Sequence, residues 1–150
     1  MQPPAIEPAR AAANRYRPAF LLSALYDGIA GLAFLFFFGP LFRALGVEGA
    51  ADPVYIQLAA GLIAIMGLGF YLIWRNPLVN GDLVLLGAVF KAFYILLAVG
   101  AQLRGEVPHA VFLLFAGVDV IFLIVLLLFL RDTRPARAVL AGWVAGEPTS

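Results

Sequence analysis

The chain has 150 residues, 63% hydrophobic and 13% charged, with no cysteine, a mean hydropathy of +0.97 and a formal net charge of +1. A soluble domain carries about a quarter charged residues, so this composition excludes a chain whose main solvent is water. Without cysteine there are no disulfides, thiolate-bound metals or dithiol redox chemistry. The single His109 excludes a bis-histidine haem or histidine-based zinc site within one chain, so no metal site is expected. No strongly basic patch points to nucleic acid.

Crossing the roughly 30 Å hydrocarbon core takes about 20 apolar residues at about 1.5 Å each. Four stretches meet this: 20–39, 54–74, 82–103 and 109–130. Proline interrupts a helix and is favoured at its start. Pro18, Pro40, Pro53, Pro77, Pro108 and Pro135 fall at or beyond the ends of these spans, and the other four prolines lie in the tails. Short links between spans predict an all-α integral membrane protein, a four-helix antiparallel bundle over residues 18–131.

Before the first span, residues 1–17, rich in Ala, Pro and Arg, are expected to form a mobile cytoplasmic tail. Arg15 and Arg17 precede an apolar run, as in a secretory signal, but the run is long, contains Asp27 and lacks a small-x-small cleavage site, so it is expected to be retained. After it, LFRALGV (41–47) is expected to form a short helix on the outer surface, with Glu48, Gly49 and Asp52-Pro53 turning the chain back. Between the second and third spans, Arg75-Asn76-Pro77 and Asn80-Gly81-Asp82 form a tight turn in which Asp82 is expected to cap the third helix. Beyond the fourth span, residues 132–150 form a second cytoplasmic tail. Its segment ARAVLAGWVAG (136–146) either lies along the membrane surface or frays.

Basic residues outside the spans set orientation, because arginine and lysine stay on the cytoplasmic side. With four spans both tails and the middle loop share one side, which holds Arg10, Arg15, Arg17, Arg75, Arg131, Arg134 and Arg137 against Arg43 and Arg104 on the other. Both termini are therefore expected in the cytoplasm. Tyr71 and Trp74 at one end of the second span and Tyr55 at the other fit interfacial aromatic belts. Arginine dominance with abundant alanine suggests a GC-rich bacterial genome, and so a bacterial inner membrane.

The only lysine, Lys91, lies mid-span in the third helix, and Asp27 and Asp119 lie at similar depth in the first and fourth. Each charge costs about 2.5 to 3.5 kcal/mol at the centre of an inserted helix, so the three are expected to face inward and share partners. All ionised, they sum to minus one. In low dielectric the less costly arrangement pairs one carboxylate with Lys91 and leaves the other protonated or reached by water. Ser23, Tyr26, Gln57 and Tyr94 are possible supporting polar groups. Small residues beside the charges, Gly28, Gly31, Gly87, Ala88 and Gly117, with Gly61, Gly67 and Gly69 in the second helix, predict close packing. The cluster is either an ion pair that fixes helix register or a site for a proton or polar head group. His109 and the aromatic run FLFFF (34–38) are weaker ligand candidates, read first as an interfacial residue and apolar bulk.

Tyr26-Asp27-Gly28 in the first helix, Arg75-Asn76-Pro77 before the third, GAVFKAFY (87–94) within it and GVDVIFLIVLLLFLR (117–131) in the fourth resemble small, uncharacterised bacterial four-helix membrane proteins, similar in layout to the DoxX-like family. Some members of that family are linked to quinone-dependent or thiol-stress chemistry. This chain has no cysteine and lacks the arginine that usually opens the first helix of that family, so the resemblance, over residues 18–131, carries layout and no catalytic residue. Small multidrug transporters also have four helices with an acid in the first, but they are shorter and use glutamate, where this chain has Asp27 balanced by Lys91.

No Ser/His/Asp set and no glycine-rich phosphate loop is present. The expected role is a small accessory or interaction protein, a subunit of a larger membrane complex or a self-associating bundle embedded in the lipid bilayer, rather than an enzyme. A proton-coupled transporter and a quinone- or lipid-linked membrane enzyme are the alternatives. Composition names no cofactor.

Overall fold

The computed structural model describes residues 6–47, 52–106 and 110–135. These form four helices: α1 (Ile6–Leu45), α2 (Pro53–Arg75), α3 (Gly81–Leu103) and α4 (Ala110–Asp132). Each is long and apolar enough to cross a membrane. The last three start and stop within two residues of the expected spans. His109, the turn residues Glu48 and Gly49, and the 136–146 segment lie outside the described residues.

The first helix departs from expectation at both ends. Where a mobile tail is expected, the helix runs from Ile6, and Ala9, Ala13 and Phe20 are buried along one face. Tyr16 donates to Asp132 Oδ2 at 2.6 Å and sets its ring edge-on to Phe129, while Arg17 Nε donates to the Trp74 carbonyl at 3.0 Å. Composition concealed this helix, because a stripe at positions 9, 13, 16 and 20 has the helical period despite its Ala and Arg content.

Pro18 and Pro40 both lie inside α1 rather than at a span end. Pro40 has no N–H to donate and its ring crowds the Phe36 carbonyl. The backbone leaves helical geometry next door, at Phe37 (φ −128°, ψ 23°). The segment 41–45 is consequently the continuation of a kinked α1 rather than a separate helix. It ends where Gly46 turns to φ +68° and Val47 N–H bonds back to the Phe42 carbonyl at 2.9 Å, a glycine stop that satisfies the last carbonyls.

Asp52 caps α2, accepting from Val54 N–H at 2.9 Å, with Pro53 at the first helical position. Asp82 does not cap α3. The cap position belongs to Asn80, whose side-chain amide donates to the Leu72 and Asn76 carbonyls at 2.8 and 3.1 Å and so closes the end of α2. Asp82 lies in the first turn of α3, where the helix dipole favours an acid. Beyond α3, Arg104 grips Glu106 with two hydrogen bonds at 2.9 and 3.0 Å, and the guanidinium holds that exposed carboxyl below the usual glutamate range.

The closest approach is between α1 and α2. A methyl on Gly67 would stand 2.7 Å from Gly28 Cα, and one on Gly31 would stand 2.7 Å from Ala64 Cα, so both positions require glycine. Small residues let backbones meet where lipid supplies no hydrophobic drive between helices. Gly61, Gly69 and Gly117, also expected at contacts, face open space.

Packing differs along the bundle. On one side of the charged residues lies a dense core of Phe20, Phe70, Ile73, Val84, Leu126 and Phe129. On the other side the helices part around a cleft. Outward faces are apolar throughout, with Ile29, Phe36, Ile65, Leu96 and Ile121 all exposed. Without a membrane such a surface would be an aggregation site.

Candidate functional site

Asp27, Lys91 and Asp119 come together from α1, α3 and α4, all three buried, and the two aspartates line the cleft. Lys91 Nζ donates to Asp27 Oδ1 at 2.6 Å. It also stands 2.7 Å from Asp119 Oδ1, a second buried ion pair. Three aromatic rings complete the surroundings of the ammonium: Tyr26 at 5.1 Å, and Phe70 and Phe122 each at 5.6 Å. Ring faces attract a cation most strongly when water is excluded. Gly87, one turn before Lys91, makes room for Phe70, whose ring would lie 2.8 Å from a methyl there.

One ammonium serves two carboxylates, and the count of oxygens shows the consequence. Asp27 Oδ2 is buried and has no hydrogen-bond partner among the described residues. An unsatisfied buried acceptor of this kind costs about 1 to 3 kcal/mol, more when charged. Asp27 and Asp119 both line the cleft, so this unsatisfied oxygen belongs to a carboxylate at the cleft wall.

That space is about 510 Å³, within the roughly 300 to 1,000 Å³ typical of small-molecule sites. Its walls are apolar and aromatic, including Phe34, Phe42, Tyr55, Phe93, Phe112 and Phe115. Phe34 meets Phe42 and Phe115 edge-on at 6.0 and 6.2 Å, whereas Phe36 and Phe37 of the same FLFFF run point outward. The kink at Phe37 brings Phe42 back to the cleft wall.

The four expected supporting groups divide. Tyr26 contributes its ring to Lys91 rather than its hydroxyl. Tyr94 lines the cleft but gives its hydroxyl to the Phe112 carbonyl at 3.1 Å, joining α3 to α4. Ser23 is buried one turn before Asp27. Gln57 is exposed and donates to the Leu35 carbonyl at 3.4 Å, away from the charges.

The Phe70 and Phe122 rings beside Lys91 carry no mark in the sequence. A signal for the cleft is present in the sequence, because Phe34, Phe93, Phe112 and Phe115 all lie on one side of the charged residue of their helix. Among the described residues no three His, Cys, Asp or Glu side chains gather as metal ligands. No family model, curated protein or solved structure matches this chain.

Proposed function

We propose that this chain is a ligand-holding accessory protein of the bacterial inner membrane. It is an antiparallel four-helix bundle with both termini cytoplasmic, in a layout like that of DoxX-like proteins. Its cleft receives a lipid-soluble molecule whose apolar body lies among the phenylalanines and whose head group donates a hydrogen bond to Asp27. The observation that carries this reading is that Asp27, a lining residue of a cleft of about 510 Å³, keeps a buried carboxylate oxygen without a hydrogen-bond partner among the described residues.

The antiparallel arrangement is supported by paired contacts. Arg17 reaches Trp74 while Leu35 is reached by Gln57, so positions rise along α1 as they fall along α2. The inward orientation is supported by the arginine imbalance across the bilayer. An accessory role is supported by the engagement of the one amine, Lys91, which two carboxylates hold at 2.6 and 2.7 Å.

A second reading, a proton-coupled carrier, is favoured by the charge count: three ionised groups sum to minus one, and one proton would neutralise them. Gentle extraction from the native membrane followed by intact mass measurement separates the two. The ligand-holding reading expects a retained small molecule that is lost on washing with harsh detergent. A protein that emerges with no small molecule, and whose liposomes acidify in an Asp119-dependent way, overturns it in favour of the carrier.

A further inference from the structure

A second pocket lies at the opposite end of the bundle from the cleft mouth, between the first turns of α1 and the α2–α3 turn. Its volume is about 370 Å³ and it is lined by Arg10, Asn14, Arg17, Arg75 and Asn76, with Pro77 and Val79 at its edge. Positions 10, 14 and 17 recur at four and three residues, which places them on one face of α1. The turn after α2 supplies the other two polar residues.

We infer that this pocket binds the phosphate of an anionic phospholipid. Three arginines line it and no carboxylate does among the described residues. Neither Arg10 nor Arg75 has an ion-pair partner among the described residues. Arg17 is held in place, donating through Nε to the Trp74 carbonyl and lying 5.6 Å from the centre of the Trp74 ring. A guanidinium fixed through Nε keeps its terminal N–H groups free to fork onto phosphate oxygens.

Depth selects lipid over a soluble phosphate. Arg17 precedes Asp27 by ten residues, which is about 15 Å of helix, half the roughly 30 Å hydrocarbon thickness. With the charged residues near the midplane, Arg17 and Trp74 sit at the headgroup boundary, and Arg10 stands two turns further out. Val79, 80% exposed at the pocket edge, offers an apolar contact for the glycerol and upper acyl chain. Nothing in this site depends on what occupies the cleft.

The test measures binding of phosphatidylglycerol, phosphatidylcholine and inorganic phosphate to the purified full chain in detergent by native mass spectrometry. Each arginine near a membrane surface contributes a factor of about five in affinity for anionic lipid. The double variant Arg10→Gln/Arg75→Gln should therefore bind phosphatidylglycerol roughly thirty-fold more weakly, while Arg17, which anchors Trp74, is left in place. Arg43→Gln/Arg104→Gln, with the same loss of net charge at the other end, should bind as the parent does. An unchanged thermal midpoint of both variants establishes that they are folded, and Arg75→Gln alone, at the exposed turn, should still lose about fivefold. Equal affinity for phosphatidylcholine, retention of phosphatidylglycerol by the double variant, or its displacement by inorganic phosphate at matched concentration would overturn the inference.

Discussion

Lys91 and Asp27, 64 positions apart, are joined by a 2.6 Å hydrogen bond that ties α3 to α1 across the middle of the bundle. The same ammonium reaches Asp119 at 2.7 Å, so one side chain ties three helices together. It stands where the dense core gives way to the cleft. At the depth where the helices begin to part, polar attraction thus ties α3 to α1 and α4, while the glycine seam holds α1 against α2.

Replacing Lys91 with Met should leave two buried carboxylates without a counter-ion. Breaking a buried pair from one side costs about 3 to 5 kcal/mol, whereas replacing all of its members by neutral groups costs much less. Lys91→Met is expected to lower stability by about 3 kcal/mol in reversible unfolding from detergent. The triple variant Lys91→Met/Asp27→Asn/Asp119→Asn should recover a large part of that loss. A harmless Lys91→Met would show that the ion pairs contribute nothing to folding.

The α1–α2 seam gives a contrast among glycines. Gly31→Ala and Gly67→Ala place a methyl against backbone atoms that cannot move without parting the helices, and each should cost about 1 to 3 kcal/mol. Gly61→Ala and Gly69→Ala meet open space and should be neutral or stabilise by up to about 1 kcal/mol. Thermal midpoints of the four variants in one detergent decide it. Equal losses at all four would mean that the close approach is not what the glycines provide.

Long apolar runs made the four helices legible, because the bilayer thickness fixes their length independently of how they pack. Charges at matching depth made the Asp27, Lys91 and Asp119 meeting legible too, since an unpaired charge in lipid has no lower-energy alternative. What stayed hidden depends on rotation about each helix axis. Phe70 and Phe122 reach Lys91 only through the way their helices are turned, and in helices apolar on every face hydropathy does not mark the inner side. The ends of α1 failed for another reason. Pro18 and Pro40 read as boundaries in the sequence, yet each removes one hydrogen bond and α1 continues through both, with Tyr16 and Phe42 on either side of the span still helical.

Orientation is directly measurable because the chain has no native cysteine. Val79→Cys, at the α2–α3 turn, and Glu106→Cys, after α3, introduce single thiols at exposed positions on opposite sides of the proposed bundle. In intact cells a membrane-impermeant maleimide should label Glu106→Cys and spare Val79→Cys, with both labelled after lysis. The Arg104–Glu106 pair lost in the second variant is exposed and contributes little. The reverse pattern would place both termini outside and remove the cytoplasmic assignment.

Filling the cleft tests whether it is a site or merely loose packing. Ala30 lies on the cleft wall one turn beyond Asp27, so Ala30→Trp would project an indole into the space where a ligand body would lie. The cleft is partly open, and the added ring can occupy it without displacing the core around Phe20 and Phe129 on the other side of the charges. The expected result is a folded protein with an unchanged thermal midpoint that leaves the native membrane without its small molecule. Leu22→Trp, 59% exposed on the same helix but facing away, should retain it. A small molecule still bound to Ala30→Trp at the parent's stoichiometry would mean that it sits elsewhere, and the unpartnered Asp27 oxygen would then have only a structural explanation.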